Sequence, residues 1–261
     1  MLQTLDTLAR RRHGGAPRTI DAPKRWTGAA GAAGDGGDTE SSHDDFELLK
    51  EIGSVVRIAR MQTIIHEGDP AANYFKVISG AVRVYKLLAD GRRQIVGFPL
   101  TGDFFGWSAG DSYPHTAEAI SDVTVLRVPR KRLEALVEAH PKLGIRLLGM
   151  AHGEICAAQE QMLLLGRKTA EERIASFLVA MSERAASHGE ASNVIVLSMT
   201  RGEIADYLGL SAEAVSRGLS ALKREGLIAI REPQRIALVH PEALADRAEG
   251  DDAEWSMAAH R

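Results

Sequence analysis

From Pro141 to about Gly166 the small and apolar positions recur in alternating steps of four and three: Gly144, Leu148, Ala151, Ile155, Ala158, Met162 and Leu165. That spacing lines one helix face as a seam over three heptads, and no seam position is charged. It predicts a long helix over 141–167 that pairs in parallel with a second copy of itself. An ordinary buried helix is the competing reading, because three heptads is close to the minimum for a coiled-coil assignment. A second stripe, Leu143, Met150, Cys156, Ala157, Leu163 and Leu164, lies on another face and is expected to pack on the preceding domain.

Before this helix the period shortens. Phe75-Lys-Val-Ile-Ser-Gly-Ala-Val-Arg-Val-Tyr reads as strand, Ser79-Gly80 turn, strand. Asp90-Gly91 stands between Val82–Leu88 and Gln94–Phe98, which is a hairpin signal. Gly68-Asp69-Pro70 and Pro99 to Asp103 mark further turns. Short strands from Phe46 to Val128 predict a small β-barrel or jelly roll over 44–140.

After the helix, Thr169 and Glu172 have the spacing of a capping box, and Ala170, Ile174, Phe177, Leu178 and Met181 form one apolar face. Asn193–Ser198 reads as a strand. Thr200 and Glu203 repeat the capping-box pattern ahead of Ile204, Tyr207 and Leu208. Gly209 supplies a turn, and Ser211 caps a second helix whose buried face is Val215, Leu219 and Leu222. Leu227–Arg231 and Arg235–His240 flank Glu232-Pro-Gln as a β wing. Residues 168–241 are therefore expected to form a winged helix-turn-helix. Gly28 to Gly37 is almost wholly Gly and Ala, so 1–43 is expected to be a disordered arm, and the polar stretch 242–261 a flexible tail. The fold class expected is α+β.

The second helix of the pair carries the candidate chemistry. Its outer face shows Ala212, Glu213, Ser216 and Arg217 in the first two turns, the part that enters the major groove in this motif. A glutamate accepts from cytosine N4, and an arginine binds guanine O6 and N7 bidentately. Glu213, Ser216 and Arg217 are the candidate base-reading residues. Thr200, Arg201, Ser211, Lys223 and Arg224 are the candidate contacts to the DNA backbone. The net charge of −3 contributes nothing to nucleic-acid affinity, and 199–235 holds six basic residues against five acidic ones. The patch is modest, and a dimer doubles it. The arm holds Arg10, Arg11, Arg12, Arg18, Lys24 and Arg25, which could touch phosphates or simply be a solvated tail.

The remaining side chains exclude more than they suggest. One cysteine, Cys156, rules out a disulfide framework and a cluster held by four cysteines of one chain. At a heptad b position it reads as a packed thiol, with redox sensing as the alternative. His66 with Glu67 and His115 with Glu118 are candidate metal ligands without a His-x-His to support them, and His66, His115 and His152 are candidate haem ligands. No metal and no cofactor is expected. There is no phosphate loop and no nucleophile–base pair, so no enzyme is expected. No apolar run approaches the ~18 residues of a membrane span, and the N-terminus lacks the apolar core of a secretory signal. A reducing cytoplasm is the expected location.

The order barrel, long helix, winged helix-turn-helix resembles the Crp/Fnr superfamily of bacterial transcription regulators over about residues 46–241. The motifs that carry the resemblance are Ile78-Ser-Gly-Ala-Val-Arg-Val-Tyr, Asp90-Gly-Arg-Arg-Gln-Ile, Gly102-Asp-Phe-Phe-Gly, Gln161 through Arg173, and Met199-Thr-Arg through Ser216-Arg217. The chain is most similar to the FixK branch. The resemblance implies a homodimeric activator of genes for microaerobic respiration, nitrogen fixation or denitrification, with double-stranded DNA and RNA polymerase as partners. Glu213, Ser216 and Arg217 match the branch's Glu-x-x-Ser-Arg, which implies a TTGA half-site with TCAA inverted.

The departures bear on the signal. Cyclic-nucleotide-binding relatives carry a ribose-binding Glu after Gly-Asp-Phe-x-Gly, and here that place is Trp107. Their phosphate-binding Arg is here His115, before Thr-Ala. An indole cannot accept from a hydroxyl, and a neutral imidazole does not replace a fixed bidentate cation. Iron–sulfur sensing needs four cysteines. Both sensors drop out, which leaves a regulator controlled mainly by its own abundance. The rivals are a regulator gated by an unknown small ligand or haem in the barrel, and a barrel enzyme or storage module with an incidental helical tail.

Overall fold

The computed structural model describes residues 39–187 and 193–250. The basic arm over 1–38 and the last stretch of the expected tail, 251–261, lie outside the described residues.

The chain enters through helix α1 (Thr39–Ile52), which corrects the expectation of a disordered arm to residue 43 and of strands from Phe46. Phe46, Leu49 and Ile52 recur every three residues, a helical stripe. Leu49 is 1% exposed in a cluster with Phe104, Leu126, Leu133 and Leu143. An ion pair from Asp45 to Arg146 ties the helix to the long helix that follows.

Eight strands then build two sheets: β1 (Ser54–Ile58), β2 (Thr63–Ile65), β3 (Asn73–Ser79), β4 (Val82–Leu87), β5 (Arg93–Gly97), β6 (Phe104–Phe105), β7 (Thr116–Ala119) and β8 (Val123–Pro129). One sheet runs β1-β8-β3-β6 and the other β2-β7-β4-β5, with antiparallel neighbours throughout. Phe75, Val77, Val82, Ala117, Ala119 and Val125 fill the space between them. β4 and β5 form the hairpin that Asp90-Gly91 predicts, with Gly91 at φ +82°. Ser79-Gly80 does something else. It carries the chain from one sheet to the other, and a Cβ on Gly80 would sit 2.4 Å from the Asp122 carbonyl. Only glycine fits there.

Helix α2 (Arg130–Ala139) closes the barrel, and α3 (Pro141–Arg167) has the expected bounds. Leu148, Ile155 and Met162 stand 70%, 57% and 65% exposed, one heptad apart on one side. The ends of the seam are covered by the chain itself: the Gly144 backbone packs under Val137, and Leu165 lies against Gly209. The second stripe is corrected. Met150 and Leu163 are exposed, and the positions facing the rest of the chain are Leu143, Leu147, Glu154, Ala157, Gln161 and Leu164. This stripe keeps the helical period but includes two polar residues, so apolar spacing alone points to the wrong set.

Helix α4 (Ala170–Ser187) starts at the Thr169–Glu172 capping box and buries Ile174, Phe177 and Leu178. β9 (Val194–Val196) leads into α5 (Arg201–Leu208) and α6 (Ala212–Arg224). The wing is β10 (Ile228–Glu232) and β11 (Arg235–Leu238), in a sheet ordered β10-β11-β9. α7 (Pro241–Glu249) corrects the flexible tail from 242. Leu244 and Ala248 are buried, Arg247 bonds Glu171 (3.3 Å) and Glu225 (2.8 Å), and Lys168 caps the Ala248 carbonyl at 2.6 Å. Two apolar positions in a polar stretch look like a tail until the α4 surface that receives them is in place.

Candidate nucleic-acid interface

The helix pair is set by caps at each entry. The Thr200 hydroxyl accepts from the Glu203 amide (3.2 Å), and the Glu203 carboxylate accepts from the Thr200 amide (2.6 Å). Gly209 ends α5 in the left-handed region at φ +62°, as a turn of this kind requires. Ser211 then caps α6 through the Ala214 amide at 3.1 Å. Val215, Leu219 and Leu222 are buried, and at Gly218 the backbone comes so close to α4 that a Cβ would fall 2.3 Å from Ile174 Cδ1.

This packing leaves Glu213, Ser216 and Arg217 exposed together on one side of α6. Hydrogen bonds from its own amide and from Ser211 hold the Glu213 carboxyl below its usual range, with Arg217 one turn away adding to the effect. Glu213 is therefore an ionised acceptor at neutral pH. The Ser216 hydroxyl donates back to the Ala212 carbonyl at 2.8 Å, which orients its lone pairs outward. Of the expected backbone contacts, Thr200, Ser211, Lys223 and Arg224 are exposed. Arg201 is half-buried and donates to the Pro233 carbonyl at 2.9 Å, so it links the start of α5 to the tip of the wing.

The residues that hold this unit in place were not among the sequence candidates. Arg83 on β4 is buried and bonds both Glu118 on β7 and Glu203 on α5. Arg93 on β5 places Nε and Nη2 on Asp206 at 2.9 and 2.7 Å, and Gln94 donates to the Asp206 carbonyl at 2.8 Å. From α3, Gln161 donates to the Tyr207 carbonyl at 2.7 Å. The Tyr207 ring meets Phe98 of the barrel and Phe177 of α4. The first helix of the pair is thus clamped to the barrel along its whole length. Alternation placed Arg83 on the opposite face from Val82 and Val84, which in sequence reads as a solvated face.

Between barrel, α3, α4 and α5 lies a cavity of about 340 Å3. Its ionisable lining groups are Asp103, His115, Glu154 and Arg184, with the phenols of Tyr113 and Tyr207. Arg184 is bonded to Asp103 and donates to the Phe98 carbonyl. Burial, and then nearby Lys86, keep His115 below its ordinary range, so it is neutral at pH 7. Trp107 packs against Tyr74 and Phe104, and its indole Nε1 is buried without a partner. These residues do not fit a cyclic nucleotide: neither a carboxylate for the sugar nor an uncommitted cation for the phosphate stands where the notable departures, Trp107 and His115, are found. Cys156 lies on α3 with its Sγ 3.5 Å from His152 Nε2. Among the described residues no three His, Cys, Asp or Glu side chains gather as metal ligands would.

A jelly roll, a long helix and a capped winged helix-turn-helix with its second helix open define a DNA-binding transcription regulator. Residues 55–140 match the cyclic nucleotide-binding domain family and residues 172–247 the Crp-like helix-turn-helix domain family. The chain is 40% identical over 223 residues to the nitrogen fixation regulation protein FixK of Azorhizobium caulinodans, which is 84% of this chain and 88% of that protein. It is 40% identical over 201 residues to the transcriptional activatory protein AadR of Rhodopseudomonas palustris, 77% and 82% of the two chains. The solved structure of FixK2 from Bradyrhizobium japonicum superposes with a TM-score of 0.70 at 40% identity, over 75% of this chain and 96% of that one. The chain belongs to the Crp/Fnr family of transcription regulators, and it is FixK-like within that family. Its relatives are regulators, not enzymes. Among the described residues no helix is long and apolar enough to cross a membrane.

Proposed function

We propose that the chain is a homodimeric, sequence-specific activator that reads a TTGA-N6-TCAA palindrome without cyclic nucleotide or iron–sulfur cluster. In this reading it acts in the cytoplasm with RNA polymerase, on genes for microaerobic respiration, nitrogen fixation or denitrification. The observation that carries it is that Glu213, Ser216 and Arg217 stay exposed while α5 is clamped in place by the chain's own ion pairs. The reading helix needs no further ligand to be presented. The open Leu148–Ile155–Met162 side of α3 supplies the face for a partner copy.

The test is a mobility shift with apo protein on the palindrome, with and without cyclic AMP, haem and oxidant. Apo protein is expected to shift the duplex, and cyclic AMP to leave the shift unchanged. A shift that appears only after cyclic AMP is added would falsify the effector-free reading. Arg217→Ala is expected to cost about 1–3 kcal/mol and to relax preference within the half-site. Glu213→Ala is expected to do the same at the paired cytosine. Half-sites substituted one base at a time report both, and unchanged selectivity in both variants would place the reading face elsewhere.

The cavity favours a second reading, in which a small ligand in the barrel gates DNA binding. Its walls reach β5, α3, α4 and Tyr207 of α5, so an occupant would touch every element that positions the helix pair.

A further inference from the structure

The charge balance of this cavity is unusual for one whose domain family is named for an anionic ligand. Arg184 is committed to the Asp103 carboxylate, and His115 is neutral at pH 7. That leaves Glu154, on α3, which makes no hydrogen bond or ion pair with any described residue. As a whole Glu154 is exposed, so it stands at the cavity's mouth. Burial first, and then the Asp103 carboxylate, push its pKa up to about 7 against the opposing pull of Arg184. A carboxylate without an ion-pair partner at the rim of a low-dielectric space, only partly offset by Arg184, is matched by a cation and repels an anion.

The rest of the wall is aromatic or apolar. Phe98, Phe104, Trp107, Tyr113, Met181 and Tyr207 all line it. Aromatic faces attract cations through the ring quadrupole, and a carboxylate beside several rings is the arrangement by which proteins hold organic ammonium groups. The volume of about 340 Å3 lies at the small end of ligand pockets, room for a single-ring compound rather than a nucleotide with its hydration.

We propose that this cavity binds a small organic cation, an aromatic or compact apolar body carrying one ammonium-type group that pairs with Glu154. The proposal deepens the second reading above by naming the ligand class. Binding a cation returns the carboxyl to its charged form, so a proton leaves on binding near pH 7, and affinity falls as the pH drops below that. Asp103, Arg184, His115, Tyr113 and Tyr207 face the same space; of these Asp103 shares the negative charge and Arg184 offsets it.

The experiment uses calorimetry on the full chain with three probes of one body: phenethylammonium, 2-phenylethanol and 3-phenylpropanoate. The ammonium is expected to bind about tenfold or more tightly than the alcohol, and the carboxylate not measurably. Its binding enthalpy is expected to vary with the ionisation enthalpy of the buffer at pH 7, because a proton is released. Glu154→Gln, at an exposed position without partners, should leave the fold and the alcohol's affinity intact and bring the ammonium down to the alcohol's level. Tighter binding of the carboxylate or the alcohol, an ammonium affinity untouched by Glu154→Gln, or no binding of any probe at millimolar concentration overturns the proposal. A mobility shift with and without phenethylammonium is read separately: binding without any change in DNA affinity upholds the site and sinks the gating reading.

Discussion

Ala158→Asp is expected to give a folded monomer that no longer shifts the palindrome. Ala158 is exposed on α3, one turn from Ile155 and midway along the side marked by Leu148 and Met162. In the isolated chain a carboxylate there is exposed, at the edge of the cavity that Ala158 helps to line. In a parallel helix pair the two copies of position 158 face each other across the twofold axis. Two like charges, partly desolvated and without counterions, should then cost roughly 3 kcal/mol or more of association energy, over a hundredfold in dissociation constant. In the proposed dimer the recognition helices stand about 34 Å apart, one turn of DNA. A monomer reads one half-site and loses most of its specific affinity. Sedimentation and circular dichroism decide it: a variant that remains dimeric at micromolar concentration would move the interface off this face, and a loss of helix signal would mean that the residue serves the fold.

Arg83→Met is expected to be the most destabilising single change at the junction of barrel and helix pair. Met matches the length of the side chain but removes the cation between two buried carboxylates, Glu118 and Glu203. Removing one partner of a buried charge cluster typically costs about 3–5 kcal/mol, because the remaining charges are left uncompensated. The pH dependence identifies the cause. Burial by itself would raise the Glu203 carboxyl, but the bonds from the Thr200 amide and hydroxyl, joined by Arg83, outweigh it and hold the group below its usual range. A depressed carboxyl contributes stability above the unfolded value, about 4.3, and loses it as pH falls through the folded value. The gap in melting temperature between wild type and Arg83→Met should therefore be wide at pH 7 and narrow below about pH 4. A gap that is constant with pH would mean that lost packing, and not charge, is responsible.

Both predictions concern α3 and α5, and these two helices show how differently fold and site were legible. The caps of α5 and α6 are local: Thr200 with Glu203, Gly209 and Ser211 act within four residues of their partners, so spacing alone identified them. The exposed outer face of α6 follows from the same register, because burying Val215, Leu219 and Leu222 leaves Glu213, Ser216 and Arg217 outside. The hairpin at Asp90-Gly91 was equally local.

Errors fell where a partner surface, distant in sequence, sets the outcome. The sequence pattern of α1 reads as disorder and strand, although Phe46, Leu49 and Ile52 carry a short helical stripe that packs on the barrel flank. α7 reads as tail for the same reason. On α3, apolar spacing points Met150 and Leu163 inward, whereas both are exposed, and Gln161 meets the Tyr207 carbonyl while Glu154 stands at the cavity's mouth. Polar residues that meet a cavity or a helix-terminal carbonyl leave no mark in apolar spacing.

The order of elements, the bounds of the long helix, the capped helix pair with its exposed outer face and the family resemblance are legible in the residues alone, because each rests on contacts within a few residues or on a motif. That Arg83, 120 residues from Glu203, clamps the helix pair to the barrel, and that Glu154 stands at an aromatic cavity without an ion-pair partner among the described residues, emerges only once the chain is folded. Charge compensation is a property of neighbours in space, and whether a buried charge has a partner depends on residues far away in the chain.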